Sequence, residues 1–223
     1  MPFSFPDGRS MTSPVHRVRR FAPLALVAAL ALAAAGCFAP PPPGSVPVMG
    51  QSSLSWEQLA GFFWANQPPG SPCATVSIEQ LSADFVWDGN VENVRGDIAF
   101  AQSIIETGWF RYGGQVQCWQ NNYGGLGATD GGAQGASFPD ADTGVRAQIQ
   151  HLRAYADSSA TSCSQPPLHT PCADPRFNLV SPKGKAPTWN QMGNGNWATD
   201  PNYASKVISL YNRMRAYADL PPV

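Results

Sequence analysis

Charged side chains are scarce in this chain. Asp, Glu, Lys and Arg together make up 13% of its 223 residues, which is about half the usual share in soluble proteins. A basic excess is also missing, since 14 basic residues face 15 acidic ones and the formal net charge is −1. Because proteins that bind nucleic acid usually carry a clear basic excess, we expect no nucleic-acid partner.

Histidine is rare as well, and no two cysteines have the short spacing that is typical of a metal-binding pair. The chain has 3 histidines and 5 cysteines, and no Cys-x-x-Cys pair occurs. Structural zinc sites commonly use such pairs. We therefore expect no metal ion and no other cofactor.

The most apolar stretch, residues 21–35, is shorter than the roughly 20 residues that a membrane-spanning helix needs. A basic segment precedes it and Ala34-Ala35-Gly36-Cys37 follows, which is the order of a secretory signal peptide. The ending also resembles a bacterial lipobox, in which the peptidase cuts before a lipid-modified cysteine. We expect residues 1–36 to be a lipoprotein signal and Cys37 to be lipidated. An ordinary signal peptide cleaved nearby is the alternative.

Four consecutive prolines, residues 40–43, follow Cys37. Proline runs favour the stiff, extended polyproline II helix. We expect residues 37–52 to be a tether and residues 53–220 to be the functional domain. The domain would then lie outside the cytoplasm and contact the cell membrane through the lipid anchor only, with secretion as the alternative.

The four cysteines beyond Cys37 are expected to form two disulfides, because an even number in an exported chain is typical of a disulfide framework. Four cysteines allow three pairings. We favour Cys163–Cys172, which closes a short proline-rich loop, together with Cys73–Cys118.

Apolar residues recur at helical spacing through most of the body. We predict helices at 55–63, at 77–87, at 91–105, from 142 or 143 to 156, and from 201 to 217, with residues 88–90 ending the second. Residues 109–139 are rich in Gly and Asn and are predicted to be irregular. The sequence thus predicts a single mainly α-helical domain with little or no β-structure.

Glu106 has the most informative surroundings of any carboxylate. It ends an apolar helical stripe and lies between Ile105 and Trp109. Partial burial would raise its pKa toward the range of a general acid, as protonation of a glycosidic oxygen near neutral pH requires. A surface Glu at a helix end is the alternative, although the helix dipole disfavours a negative charge there.

Three segments resemble, in the right order, the motifs of bacterial glucosaminidase domains. They are residues 101–109 (AQSIIETGW), 121–127 (NNYGGLG) and 197–207 (WATDPNYASKV). This family belongs to the lysozyme-like superfamily and is often described as mannosyl-glycoprotein endo-β-N-acetylglucosaminidase-like. The resemblance spans about residues 53–217 and implies a lysozyme-like helical domain that hydrolyses glycans.

The resemblance also implies roles for individual residues. Glu106 aligns with the catalytic acid, and Tyr203 aligns with a tyrosine near that acid, although core packing explains Tyr203 equally well. The residues expected to contact sugar are Asn121, Asn122, Tyr123, Trp109 and Trp197. For the asparagines the alternative is turn chemistry, and for Tyr123 and Trp109 it is core packing.

The chain departs from the family after the Asn-Asn motif. Many members have a β-hairpin there that supplies a second carboxylate, whereas residues 127–135 are short and Gly-rich, with Asp130 as their only acid. We expect Asp140 and Asp142 to cap the next helix. A mechanism in which Asp130 is a second catalytic carboxylate and one in which the substrate's 2-acetamido oxygen attacks therefore both stay open.

The sequence as a whole predicts a monomeric glycoside hydrolase whose partner is the glycan strand of peptidoglycan, cut at β-1,4 bonds of N-acetylglucosamine. Cleavage at N-acetylmuramic acid, by hydrolysis or by transglycosylation, is the nearest alternative. A non-catalytic peptidoglycan-binding lipoprotein is the alternative from another class.

Overall fold

The computed structural model describes residues 44–128 and 132–223. These residues form no β-strand and five α-helices: α1 (Trp56–Asn66), α2 (Ile78–Glu92), α3 (Gly96–Glu106), α4 (Ala141–Ala156) and α5 (Tyr203–Tyr217). The predicted fold class, mainly α-helical with irregular Gly- and Asn-rich loops, is confirmed. The predicted signal segment, Cys37 and Asp130 lie outside the described residues.

Short polar side chains determine where several helices begin. Ser55 and Ser77 accept hydrogen bonds from the third backbone N–H of α1 and α2, which satisfies a donor that has no partner within the helix. Asp140 does the same for α4 through the N–H of Thr143, at 2.8 Å. Asp140 is therefore the N-cap of α4, and Asp142 lies in the first turn instead.

The break between α2 and α3 lies further along the chain than expected at residues 88–90. Helix α2 runs through Gly89, and the turn comes at Asn93, which adopts the left-handed conformation with φ 54°. A Cβ on Gly89 would lie 2.6 Å from the Cα of Gly96, and one on Gly96 would lie 1.8 Å from the carbonyl oxygen of Phe85. Gly89 thus allows two helices to touch and does not end one.

The folded domain starts before residue 53. Val46 and Val48 are 3% and 0% exposed, and the backbone N–H of Val48 donates to the carbonyl of Pro187 at 3.0 Å. Apolar side chains at both positions join the main hydrophobic core. The tether expected over residues 37–52 is corrected accordingly, because its last part is packed against the domain.

Two disulfides connect the loops to the helical core. Cys73–Cys118 ties the α1–α2 connection to the loop after α3, and Cys163–Cys172 closes the loop after α4. This is the pairing that the sequence favours. Within residues 44–128 and 132–223, no helix has both the length and the hydropathy that crossing a membrane requires.

Candidate active site

Helix α3 ends at a cleft with a volume of about 620 Å³. The loop that follows α3 forms one wall, and the segment leading into α5 forms the other. Lining residues include Glu106, Tyr112, Val116, Gly124, Gly125 and Trp197. Among the described residues that line the cleft, Glu106 is the one carboxylate.

The carboxyl group of Glu106 is held from two directions. Tyr203, the first residue of α5, donates its hydroxyl hydrogen to Oε1, and Trp197 Nε1 donates to the same oxygen at 3.1 Å. On the other side, a Cβ built on Gly125 would lie 3.2 Å from Oε2. The acid therefore has one oxygen held by donors and the other turned toward the loop at Gly125.

Burial raises the pKa of Glu106 from 4.5 to about 7. The hydrogen bonds from Tyr203 and Trp197 favour the carboxylate and lower the pKa, but desolvation is the larger effect. A carboxyl group with a pKa near 7 is partly protonated at neutral pH, which is the state that a general acid needs.

Tyr203 is positioned as a hydrogen-bond donor. It is 5% exposed, and burial together with the neighbouring Glu106 carboxylate raises its pKa well above 10. Its phenol keeps its hydrogen at physiological pH. The sequence left core packing and cleft chemistry equally open for Tyr203, and the structure combines them, since the ring is buried and the hydroxyl reaches the acid.

The side chains of the Asn-Asn motif stabilise the loop that places Gly125 next to Glu106. Asn122 is 1% exposed. Its Nδ2 donates to the carbonyls of Leu126 and Ala136, at 2.9 and 3.0 Å, and its Oδ1 accepts from the N–H of Leu126 at 2.9 Å. Asn121 is 3% exposed and Tyr123 is 0% exposed. The geometry supports the turn and core alternatives for these three residues, and none of their side chains lines the cleft.

The two tryptophans differ in position. Trp109 stacks on Phe62 with ring centroids 6.3 Å apart, so its ring belongs to the packing around α1. Trp197 lines the cleft, and its ring packs against His151 and Tyr155, at 5.2 and 5.8 Å. Of the aromatic residues expected to contact sugar, Trp197 is the one that the structure brings to Glu106.

One residue of this site was not among those expected from the sequence. Gln102 donates its Nε2 to the Tyr203 hydroxyl oxygen at 2.8 Å. It lies four residues before Glu106, a spacing that puts both side chains on one face of α3. This four-residue spacing is the feature of the sequence that could have indicated that Gln102 belongs to the site.

Metal ligands are not clustered anywhere in the two described ranges. No group of three or more His, Cys, Asp and Glu side chains is arranged there to hold a metal ion. The second candidate catalytic carboxylate, Asp130, is in the gap between those ranges.

Comparison with known proteins agrees with the geometry. A family described as "Glucosaminidase: Mannosyl-glycoprotein endo-beta-N-acetylglucosaminidase" matches residues 86–216, which include the acid-bearing helix α3 and the Asn-Asn loop. An uncharacterised protein of Borreliella burgdorferi is 34% identical over 140 residues, which are 63% of this chain and 64% of that protein. The chain belongs to the glucosaminidase family.

Proposed function

We propose that this protein hydrolyses the β-1,4 bonds of peptidoglycan on the reducing side of N-acetylglucosamine, with Glu106 as the general acid. The observation that carries the proposal is the state of this carboxyl group. It lies at the wall of a cleft, its pKa is raised to about 7 by burial, and two hydrogen-bond donors hold one of its oxygens.

In the proposed first step, Glu106 transfers its proton to the glycosidic oxygen while the bond from that oxygen to the anomeric carbon breaks. Positive charge develops at the anomeric carbon. The carboxylate that Glu106 becomes is stabilised by the Tyr203 hydroxyl and the Trp197 N–H. It then accepts a proton from the water that completes hydrolysis, which returns the acid to its starting state.

For the group that meets the positive charge, we propose the 2-acetamido oxygen of the substrate. Attack by this oxygen needs one protein carboxylate, and Glu106 is the one carboxylate among the described residues that line the cleft. The alternative group is the carboxylate of Asp130.

The Asp130→Asn variant separates these two possibilities. With acetamido participation, the initial rate on purified peptidoglycan should fall less than about tenfold, and removal of the N-acetyl groups from the substrate should cost far more, since general-acid and nucleophilic contributions are about 10²-fold or larger. Asp142→Asn, in the exposed first turn of α4, is the matched control. A loss as large as that caused by removing Glu106 would identify Asp130 as the second carboxylate.

Product analysis tests the bond that is cut. Peptidoglycan digested by the protein, reduced with borohydride and analysed by mass spectrometry should contain reduced N-acetylglucosamine ends. Reduced N-acetylmuramic ends would show a muramidase, and 1,6-anhydro ends would show a transglycosylase. Binding to peptidoglycan with no new ends would support the non-catalytic alternative.

We also propose that the mature protein is a membrane-anchored lipoprotein, on the strength of the Ala34-Ala35-Gly36-Cys37 ending. The Cys37→Ser variant should lose the acyl chain. We expect it to move from the membrane fraction to the soluble fraction, or to accumulate unprocessed, in a fractionation immunoblot. A variant of normal mature size that stays in the membrane fraction would contradict the proposal.

A further inference from the structure

Behind Glu106 lies a chain of buried polar side chains that the proposed steps do not use. Gln148 Nε2 donates to Gln102 Oε1 at 2.8 Å, and Gln102 Nε2 donates to the Tyr203 oxygen at 2.8 Å. Ser103 Oγ lies 3.0 Å from Gln148 Oε1. Gln102, Ser103 and Gln148 are all 0% exposed. The chain joins α4 to α3 and α3 to α5, and it ends on the catalytic carboxyl group.

A backbone carbonyl determines the direction of this chain. A side-chain amide has a donor end and an acceptor end, so turning Gln148 around would reverse every later hydrogen bond. Gln148 Nε2 lies 3.3 Å from the carbonyl oxygen of Ala99, which can only accept. The reversed amide would place two acceptor oxygens against each other in a buried site, an arrangement that costs free energy. Gln148 therefore presents Nε2 to Gln102.

The orientation of Gln148 then determines that of Tyr203. Gln102 must present its oxygen to Gln148 and its Nε2 to Tyr203. The Tyr203 oxygen thus receives an N–H, and its own hydrogen is directed to Oε1 of Glu106. Trp197, whose indole nitrogen can only donate, reaches the same Oε1. Oε1 is held as an acceptor, and the hydrogen of the neutral carboxyl group belongs on Oε2.

We propose that Gln148 and Gln102 are positioning residues that fix Tyr203 as a donor and so place the catalytic proton on Oε2 of Glu106, the oxygen next to Gly125. This inference rests on the proposed role of Glu106 as the acid. It assigns a function in catalysis to Gln148, a side chain that does not touch the carboxyl group and lies 45 residues beyond Ser103.

Among the described residues, two tyrosines are the titratable side chains that lie at this acid or line its cleft. Tyr203 faces it from α5 and Tyr112 lines the same cleft. Burial raises the pKa of Tyr112 further above its ordinary value of 10, so this phenol stays protonated at physiological pH. No charged side chain in the described residues shifts the pKa of Glu106. Titration of the carboxyl carbon of Glu106 by ¹³C NMR, without substrate, therefore follows the combined effect of burial and of the hydrogen bonds from Tyr203 and Trp197, and a difference between variants with the same burial reports a change in those hydrogen bonds.

The test uses Gln148→Met, Gln102→Met and the double variant. Without Gln148, Gln102 can turn and offer its oxygen to Tyr203, whose hydrogen then leaves Glu106. We expect the pKa of Glu106 to rise by about one unit and kcat to fall about tenfold with KM nearly unchanged, as befits loss of a hydrogen bond to a charged group. In the double variant no oxygen competes for the Tyr203 hydrogen, so both quantities should return most of the way to wild type.

Gln150→Met is the matched control. Gln150 lies on the same helix and is also 0% exposed, but its Nε2 donates to Thr170 and Pro171, both at 2.9 Å. This variant should lower the unfolding temperature and leave the pKa of Glu106 unchanged. A double variant that is no better than Gln148→Met, or a Gln148→Met protein with an unshifted pKa, would overturn the inference.

A measurement on the wild type keeps the test independent of how the variants fold. Nuclear Overhauser effects should connect the Nε2 hydrogens of Gln102 to the ring of Tyr203, and contacts to Gln148 instead would show the reversed chain. If the wild type proves inactive but these effects and the pKa changes are observed, the proposed function fails alone. If the wild type is active and they are absent, the positioning role fails alone.

Discussion

Replacement of Glu106 by Gln should lower the rate of peptidoglycan cleavage by about 10²–10⁴-fold, the usual contribution of a general acid, while binding to peptidoglycan persists. Gln keeps the shape and still accepts hydrogen bonds from Tyr203 and Trp197 at its oxygen. It cannot transfer a proton to the glycosidic oxygen. The measurements are the release of reducing ends over time and co-sedimentation with insoluble peptidoglycan.

Glu57→Gln is the control for this experiment. Glu57 is exposed in the first turn of α1, so this substitution makes the same chemical change away from the cleft. It should retain the wild-type rate. A Glu106→Gln protein whose rate stays within about twofold of wild type would show that Glu106 is not the acid. The non-catalytic peptidoglycan-binding alternative would then gain support.

The Glu106→Gln variant should also have a larger free energy of unfolding than the wild type at neutral pH. Because the pKa of Glu106 is raised in the folded protein, the folded state binds more protons than the unfolded state, and stability is lost as pH rises from about 4.5 to about 7. The penalty at and above pH 7 amounts to roughly 3 kcal/mol for a shift of this size. Gln carries no such penalty.

Thermal unfolding across the pH range measures this gain. The difference in free energy of unfolding between Glu106→Gln and wild type should be small near pH 4, grow through pH 5 and 6, and level off above pH 7. Asp88, whose pKa burial also raises to about 7, is present in both proteins and so drops out of the difference. A difference that does not change with pH would contradict the buried state of the Glu106 carboxyl group.

The positions of Glu106 and Tyr203 at one cleft could be predicted from the sequence, because a local motif contains each of them. The apolar spacing of α3 and the segment at residues 101–109 pointed to Glu106. The resemblance of residues 197–207 to a family motif pointed to Tyr203, whose place on the apolar face of the last helix fitted core packing equally well. The structure then adds the partner, since the Tyr203 hydroxyl donates to Glu106.

Residues whose roles depend on distant contacts could not be predicted in this way. Asn122 looks the same in sequence whether it binds a sugar or the carbonyls of Leu126 and Ala136, which it contacts here. Gln148 is one polar residue within the apolar pattern of α4, and its partner Gln102 lies 46 residues away. Local sequence carries no information on which residue will face such a side chain across a helix interface.

Gly89 shows the same limit for the fold. Gly beside Asn and Asp ordinarily indicates the end of a helix, and the competing explanation, close contact with another helix, needs knowledge of that helix. Here Gly96 lies so close that a Cβ on Gly89 would be 2.6 Å from its Cα. Tertiary packing therefore overrides a sound local rule, and α2 continues to Glu92.

The crossing of α2 and α3 leads to the largest expected effect on stability. Gly96→Ala would place a Cβ 1.8 Å from the carbonyl oxygen of Phe85, which is far inside van der Waals contact. The atom it meets is backbone within α2, so relief requires the helices to separate. We expect the free energy of unfolding to fall by at least about 3 kcal/mol, at the upper end of overpacking effects.

Urea unfolding followed by circular dichroism measures this loss, with Gly114→Ala as the control. A Cβ on Gly114 meets no atom within 4 Å, so that variant should stay within about 0.5 kcal/mol of wild type. Gly96 begins α3 and Glu106 ends it, so we expect a shift of α3 away from α2 to move the acid relative to Tyr203. The folded fraction of Gly96→Ala should accordingly cleave peptidoglycan more slowly than wild type, and a variant with wild-type stability and rate would show that α2 and α3 do not pack this closely.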